Sequence, residues 1–108
     1  MICRYWRGWT TPQNAARYQK ILTGDVIPAI EARHIEGFRR IEMMRRDLGE
    51  EVEFATIMWF DDIEAVKRFV GEDYERAHVP DAARVVLKRF DERVAHYAIF
   101  GSRDQARP

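Results

Sequence analysis

The sequence predicts an α+β domain in the order βαββαβ, with helices on one face of a four-stranded antiparallel sheet. Three observations carry this. Four runs rich in aromatic and β-branched residues alternate with helix-like segments and turn residues. The chain has 108 residues, 46% of them hydrophobic, which suffices for one domain with one core. No linker, low-complexity tract or repeat divides it, so residues 1–100 are expected to form a single domain, followed by a polar, mobile tail at 101–108.

Residues 2–9 (ICRYWRGW) form an aromatic run without turn residues, the signature of a strand. Thr10 and Thr11 then offer a helix cap, and Pro12 suits a first helical turn. A helix is predicted from 12 to about 22. Thr23, Gly24 and Asp25 weaken it, and Pro28 forbids an ideal continuous helix. Val26, Ile27, Ile30 and Ala32 restore the apolar spacing, so the helix should be bent or in two pieces and end near Arg33.

After an exit turn at 34–37, residues 38–46 read as a second strand. Asp47, Leu48, Gly49 and Glu50 make a hairpin turn into a third strand at 51–60. Asp61 or Asp62 caps a second helix with Ile63, Val66, Phe69 and Val70 on one face, and Gly71 stops it. A short helical turn is expected at 72–79. Pro80 opens a further helix through Ala83, Val86, Leu87 and Phe90, and residues 93–100 form the fourth strand. This order is the ferredoxin-like motif with an extra short helix before the last strand.

A sheet with one face in water alternates apolar and polar residues. Here both faces are apolar: Cys3, Tyr5 and Trp9 oppose Ile2 and Trp6, and Ala55, Ile57 and Trp59 oppose Phe54, Met58 and Phe60. Left in water, the second face would exceed the ~300–600 Å² apolar patch usual for monomers. A second copy of the same sheet, related by a two-fold axis, is the expected cover, giving a homodimer.

Composition narrows the function. Lys plus Arg balances Asp plus Glu at 18 each, so no basic field directs the chain to nucleic acid or an anionic membrane. The single cysteine, Cys3, excludes an internal disulfide and a cysteine-based zinc site. No segment approaches the ~18 apolar residues of a membrane span, and the N-terminus reads as a strand rather than a signal, so a cytoplasmic protein is expected. Phosphate-loop, nucleophile-elbow and paired-histidine zinc motifs are absent.

The element order, the strand followed at once by Thr10, Thr11 and Pro12, the segment FATIMWFDDIEAVKRF (54–69) and the run RVAHY (93–97) resemble the antibiotic biosynthesis monooxygenase superfamily over residues 1–100. The resemblance implies a dimeric α/β barrel. It also implies one of two activities: oxidation of polycyclic phenols to quinones by oxygen without a cofactor, or oxidative degradation of bound heme. The heme-degrading arrangement pairs a first-strand Asn with a second-helix Trp and a His just beyond. Here residues 2–9 hold no Asn, Phe69 stands at the Trp position, and only His78 has a counterpart, so no cofactor is expected.

The resemblance places a pocket between sheet and helices with its mouth beside His78, the candidate catalytic acid or base; its alternative role is a helix-end cap. Arg4 and Trp6 share a strand face and suit an anionic or phenolate-bearing planar ligand, or else stack on each other in the dimer interface. Trp59 and Tyr74 could line the same pocket. His96, in the last strand, is either a ligand contact or a buried, hydrogen-bonded residue at the dimer face. The expected function is a cofactor-independent monooxygenase acting on an aromatic small molecule, and the alternative is a non-catalytic dimeric binding or stress-related module.

Overall fold

A computed structural model describes residues 1–107. Strand β1 (Ile2–Thr10) lies inside the sheet, antiparallel to β3 (Val52–Phe60), which in turn pairs with the edge strand β2 (Phe38–Asp47). The other edge of β1 is taken by two short strands, β4 (Arg89–Phe90) and β5 (Ala95–Ala98), giving the order β2–β3–β1–β4/β5. No helix among the described residues is long and apolar enough to cross a membrane.

Helix α1 (Pro12–Ile21) runs through a π turn at Leu22–Val26 into α2 (Ile27–Glu31) without a break. The wide turn is a response to Pro28. In a regular helix the prolyl ring would collide with the carbonyl four residues earlier, and no N–H would answer it. The π turn instead lets the Ile27 N–H reach back to the Leu22 carbonyl. Helix α3 (Ile63–Val70) begins where the Asp62 carboxylate accepts from the Ala65 N–H, and Gly71, with φ of 93°, ends it.

The expected helix through Phe90 is much shorter. Helix α4 (Asp81–Arg84) is one turn, and Phe90 lies in β4 opposite Gly8. The apolar residues Ala83, Val86, Leu87 and Phe90 all pack on the core, but a helix end and a strand share the work. The backbone turns because Lys88 N–H donates to the Trp9 carbonyl and Asp91 N–H to that of Arg7, drawing this stretch onto β1. Gly8 permits the approach: a Cβ there would lie 2.6 Å from the Trp6 ring and 3.1 Å from Leu87.

The fourth strand is likewise interrupted. Between β4 and β5, residues 92–94 leave β1 and hydrogen-bond to 75–77 instead, through Ala77 N–H to the Glu92 carbonyl and Val94 N–H to that of Glu75. The stretch expected as a helical turn at 72–79 therefore becomes a turn followed by a bridge between Arg76 and Arg93. Residues 101–107 are exposed and without regular structure; Pro108 lies outside the described residues.

The core fills the space between helices and the inner sheet face, where Trp6, Phe54, Met58 and Phe60 meet Tyr18, Leu22, Ile30 and Phe69. On the outer face, Cys3, Tyr5, Ile57 and Trp59 are half-buried and Tyr97 is 58% exposed. Trp9 is buried there, as are Ala55 and Glu53. The guanidinium groups of Arg7 and Arg89 lie over the Trp9 ring at 5.2 and 3.9 Å and keep it buried.

Candidate functional site

A cleft opens between the inner sheet face and the α1–α2 helix, with Arg4, Trp6 and Thr56 on the sheet side and Tyr18 and Ile30 on the helix side. Phe69 from α3 and the segment His78, Val79 and Pro80 close one end. The cavity measures about 40 Å³, the space in which a water's centre can move, or room for about three waters. Its walls are aliphatic and aromatic. The polar exceptions are Arg4, Tyr18, Thr56 and His78, and no carboxylate lines it.

Arg4 is the unusual member. It is only 3% exposed, yet it forms no ion pair among the described residues. Its Nη1 donates to the Tyr74 carbonyl at 2.6 Å and its Nη2 to the Arg76 carbonyl at 2.7 Å. The same Nη1 lies 3.1 Å from His96 Nε2. A guanidinium only donates, so His96 must accept there and carry its proton on Nδ1. That Nδ1 is buried without a partner. Burial lowers the Arg4 pKa to about 10, still leaving the group charged at neutral pH.

Phe69 gathers the remaining charge. Arg4 and Arg33 approach its ring at 5.4 and 5.5 Å, and the His78 ring packs against it at 5.0 Å. His78 as a whole is open to solvent, but its surroundings bury enough of the ring to lower its pKa, and the charges of Arg33 and Arg4 lower it further. The His96 pKa is also lowered, first by burial and then by Arg4, with Glu75 opposing. Both imidazoles are therefore neutral near pH 7. A neutral imidazole at a cleft mouth can take a proton, and a buried guanidinium can hold the anion that results.

Five of the six expected residues come together. Arg4, Trp6 and His78 line the cleft, and His96 sits beside Arg4 in the register between β1 and β5. Tyr74 contributes its carbonyl to Arg4 and sets its ring edge-on to His96 at 5.4 Å. Two expectations are corrected. Trp59 pairs with Cys3 and so points to the outer sheet face, under the Arg40 guanidinium, away from the cleft. Arg4, Trp6 and His96 belong to the helix side of the sheet, so neither the Arg4–Trp6 pair nor His96 lies on the outer face, the one left uncovered by helices. Tyr18, Arg33 and Thr56 went unforeseen, since nothing in their local sequence marks them off from ordinary helix and strand residues.

No protein-family model matches the chain, and no curated protein is similar to it in sequence. Solved structures do match. A protein from Bacillus cereus described as an antibiotic biosynthesis monooxygenase superposes with a TM-score of 0.70 at 17% identity, covering 99% of this chain and 98% of that one. SnoaB, a cofactor-independent oxygenase from Streptomyces nogalater, gives 0.61 at 15% identity, over 94% and 95% of the two chains. A point mutant of MhuD, with two manganese protoporphyrin IX molecules bound per active site, gives 0.61 at 16%, over 95% and 99%. The chain thus has the ferredoxin-like α+β fold of these monooxygenase-family structures. A porphyrin does not fit the present cleft, whose volume is that of a few waters.

Proposed function

We propose that the protein is a homodimeric, cofactor-independent oxygenase acting on a small aromatic molecule with an ionisable hydroxyl. One observation supports this above the rest: an apolar cleft holds a buried, carboxylate-free Arg4 together with a neutral His78 at its mouth. His78 is the base that removes the hydroxyl proton, and Arg4 supplies positive charge that favours the phenolate. The electron-rich ring is then the reductant for oxygen. One oxygen atom enters the ring para to the hydroxyl, the other leaves as water, and the phenol becomes a quinone. With room for about three waters, the cleft is smaller than a single ring, so even a one-ring substrate enters only if its walls move apart.

The test is oxygen uptake by the purified protein on a panel of single-ring phenols, corrected for uncatalysed oxidation. Quinone should form in step with oxygen consumed, and His78→Ala should lower the rate at least ~100-fold while the protein stays folded and dimeric. An unchanged rate in the variant would remove His78 from the mechanism. A second reading, a non-catalytic binding module, is favoured by the small volume of the cleft, which the protein's own Phe69 and Trp6 help to fill. Ligand binding with no oxygen uptake across the panel would establish it.

A further inference from the structure

We infer that the ligand of this cleft carries a carboxylate, seated on Arg4, and is a single-ring aromatic acid. The inference deepens the proposal above and rests on it only in taking the cleft as a ligand site. It starts from the charge of Arg4. The Tyr74 and Arg76 carbonyls and His96 Nε2 are neutral acceptors that a neutral donor could satisfy equally well, so they do not account for a buried cation. Elsewhere in the molecule guanidinium groups do meet carboxylates: Arg7 meets Asp91, Arg39 meets Asp61, and Arg93 meets Asp73. At Arg4 the counter-ion is missing, and no Asp or Glu lines the cleft that could supply it.

The open donors fit a carboxylate in shape. Three of the five Arg4 N–H groups are used, two on Nη1 and one on Nη2. Those left, on Nε and Nη2, are the pair with which Arg39 grips both oxygens of Asp61 and Arg7 both oxygens of Asp91. The hydroxyls of Tyr18 and Thr56 line the same cleft and make no hydrogen bond to other described residues, leaving further donors for an anion. The aromatic and aliphatic walls, Trp6 and Phe69 among them, suit a ring behind the carboxylate in chemistry, and must part beyond their present room for about three waters to admit it. Arg33, 5.5 Å from the centre of the Phe69 ring, adds positive charge beside the cleft.

The test is isothermal titration of the full chain with benzoate and its neutral isostere benzamide at pH 7.5. Benzoate should bind at least about tenfold more tightly. Arg4→Gln keeps donors for the backbone carbonyls but removes the charge, and it should erase that preference. Should this variant not fold, carboxyl-labelled benzoate bound to the wild-type protein gives the same answer. Its carboxyl resonance should stay that of the ionised form to a lower pH than in free benzoate. Equal affinity for the two ligands, or no binding of either, would overturn the inference. The oxygenase reading fails separately: benzoate selectivity without turnover of any hydroxylated analogue upholds the carboxylate site alone, whereas oxidation of neutral phenols without acid preference upholds the oxygenase alone.

Discussion

Burial first, and then the positive charges of Arg33 and Arg4, disfavour protonation of His78 and His96, and this makes stability depend on pH in a defined direction. The bond from Arg4 to His96 needs a bare Nε2, so an imidazolium at position 96 breaks the contact and sets two positive groups together. The folded-state pKa values of His78 and His96 are lowered, whereas in the unfolded chain histidine titrates near about 6.5. The unfolded state therefore takes up protons first as pH falls. This contribution to stability is complete above about pH 6.5 and is lost as pH falls below it. Melting temperature should decline between pH 7 and pH 5, and His96→Gln, whose amide oxygen accepts from Arg4 without titrating, should flatten part of that decline. An identical slope in the variant would show that His96 carries none of it. A separate loss should follow at lower pH, where Glu51, Asp61 and Asp73 protonate, their pKa values being held down by Arg89 with Lys88, by Arg39 and by Arg93. At this scale Arg4 and Trp6 were singled out by the strand face they share, and His78 by the resemblance to the monooxygenase superfamily. The sequence could not show that Arg4 lacks a carboxylate, because the counter-ion is a property of strand register and of loop 74–76, which long-range pairing determines.

At the scale of elements, the long strands and the two main helices were legible because their apolar periodicities run over eight or more residues and their ends are marked by Pro12, Asp62 and Gly71. The region after Gly71 was not, because its spacing of Ala83, Val86, Leu87 and Phe90 satisfies a helix although the backbone is claimed by β1. Close approach at Gly8 is what permits that claim, and it can be tested. A methyl group on residue 8 would collide with the Trp6 ring and crowd Leu87, and Trp6 is poorly placed to retreat: it is buried and its indole N–H donates to the Asp91 carbonyl at 3.0 Å. Gly8→Ala should cost about 1–3 kcal/mol through overpacking, read as a lower urea midpoint. Trp6→Ala, which empties the same site, should cost about 3–5 kcal/mol. If Gly8→Ala leaves the midpoint unchanged, β4 does not pack on β1 as described. The π turn at Leu22–Val26 belongs to the same class of feature: Pro28 announced a disturbance, but only the packing of Leu22, Val26 and Ile27 onto the core decides that the helix absorbs it and stays continuous.

The whole molecule presents one unsolved surface, the outer face of the sheet. Tyr5, Ile57, Trp59 and Tyr97 form an apolar band there, and the arginines that shield Trp9 leave its centre open. An apolar sheet face is suited to a two-fold partner, because each apolar contact the band makes is then made twice, residue i of one copy meeting j of the other and j meeting i. A stable interface buries about 800 Å² on each partner, an area that a face of three adjoining strands of this length can supply. Ile57 lies near the middle of the band, between Tyr5 on β1 and Glu42 on β2, with its side chain half-exposed in the single chain. Ile57→Glu is thus tolerable in a monomer and costly in a dimer, where two carboxylates would be buried close to the axis. Light scattering after size exclusion should give twice the 12.8 kDa chain mass for the wild-type protein and the single-chain mass for Ile57→Glu, with far-ultraviolet dichroism unchanged. A wild-type protein that remains monomeric at tens of micromolar would refute the dimer and assign the band to a different partner. Because Arg4 and His78 lie on the opposite side of the sheet, benzoate binding by the monomeric variant should persist, and its loss would mean that pairing shapes the cleft through the strands themselves.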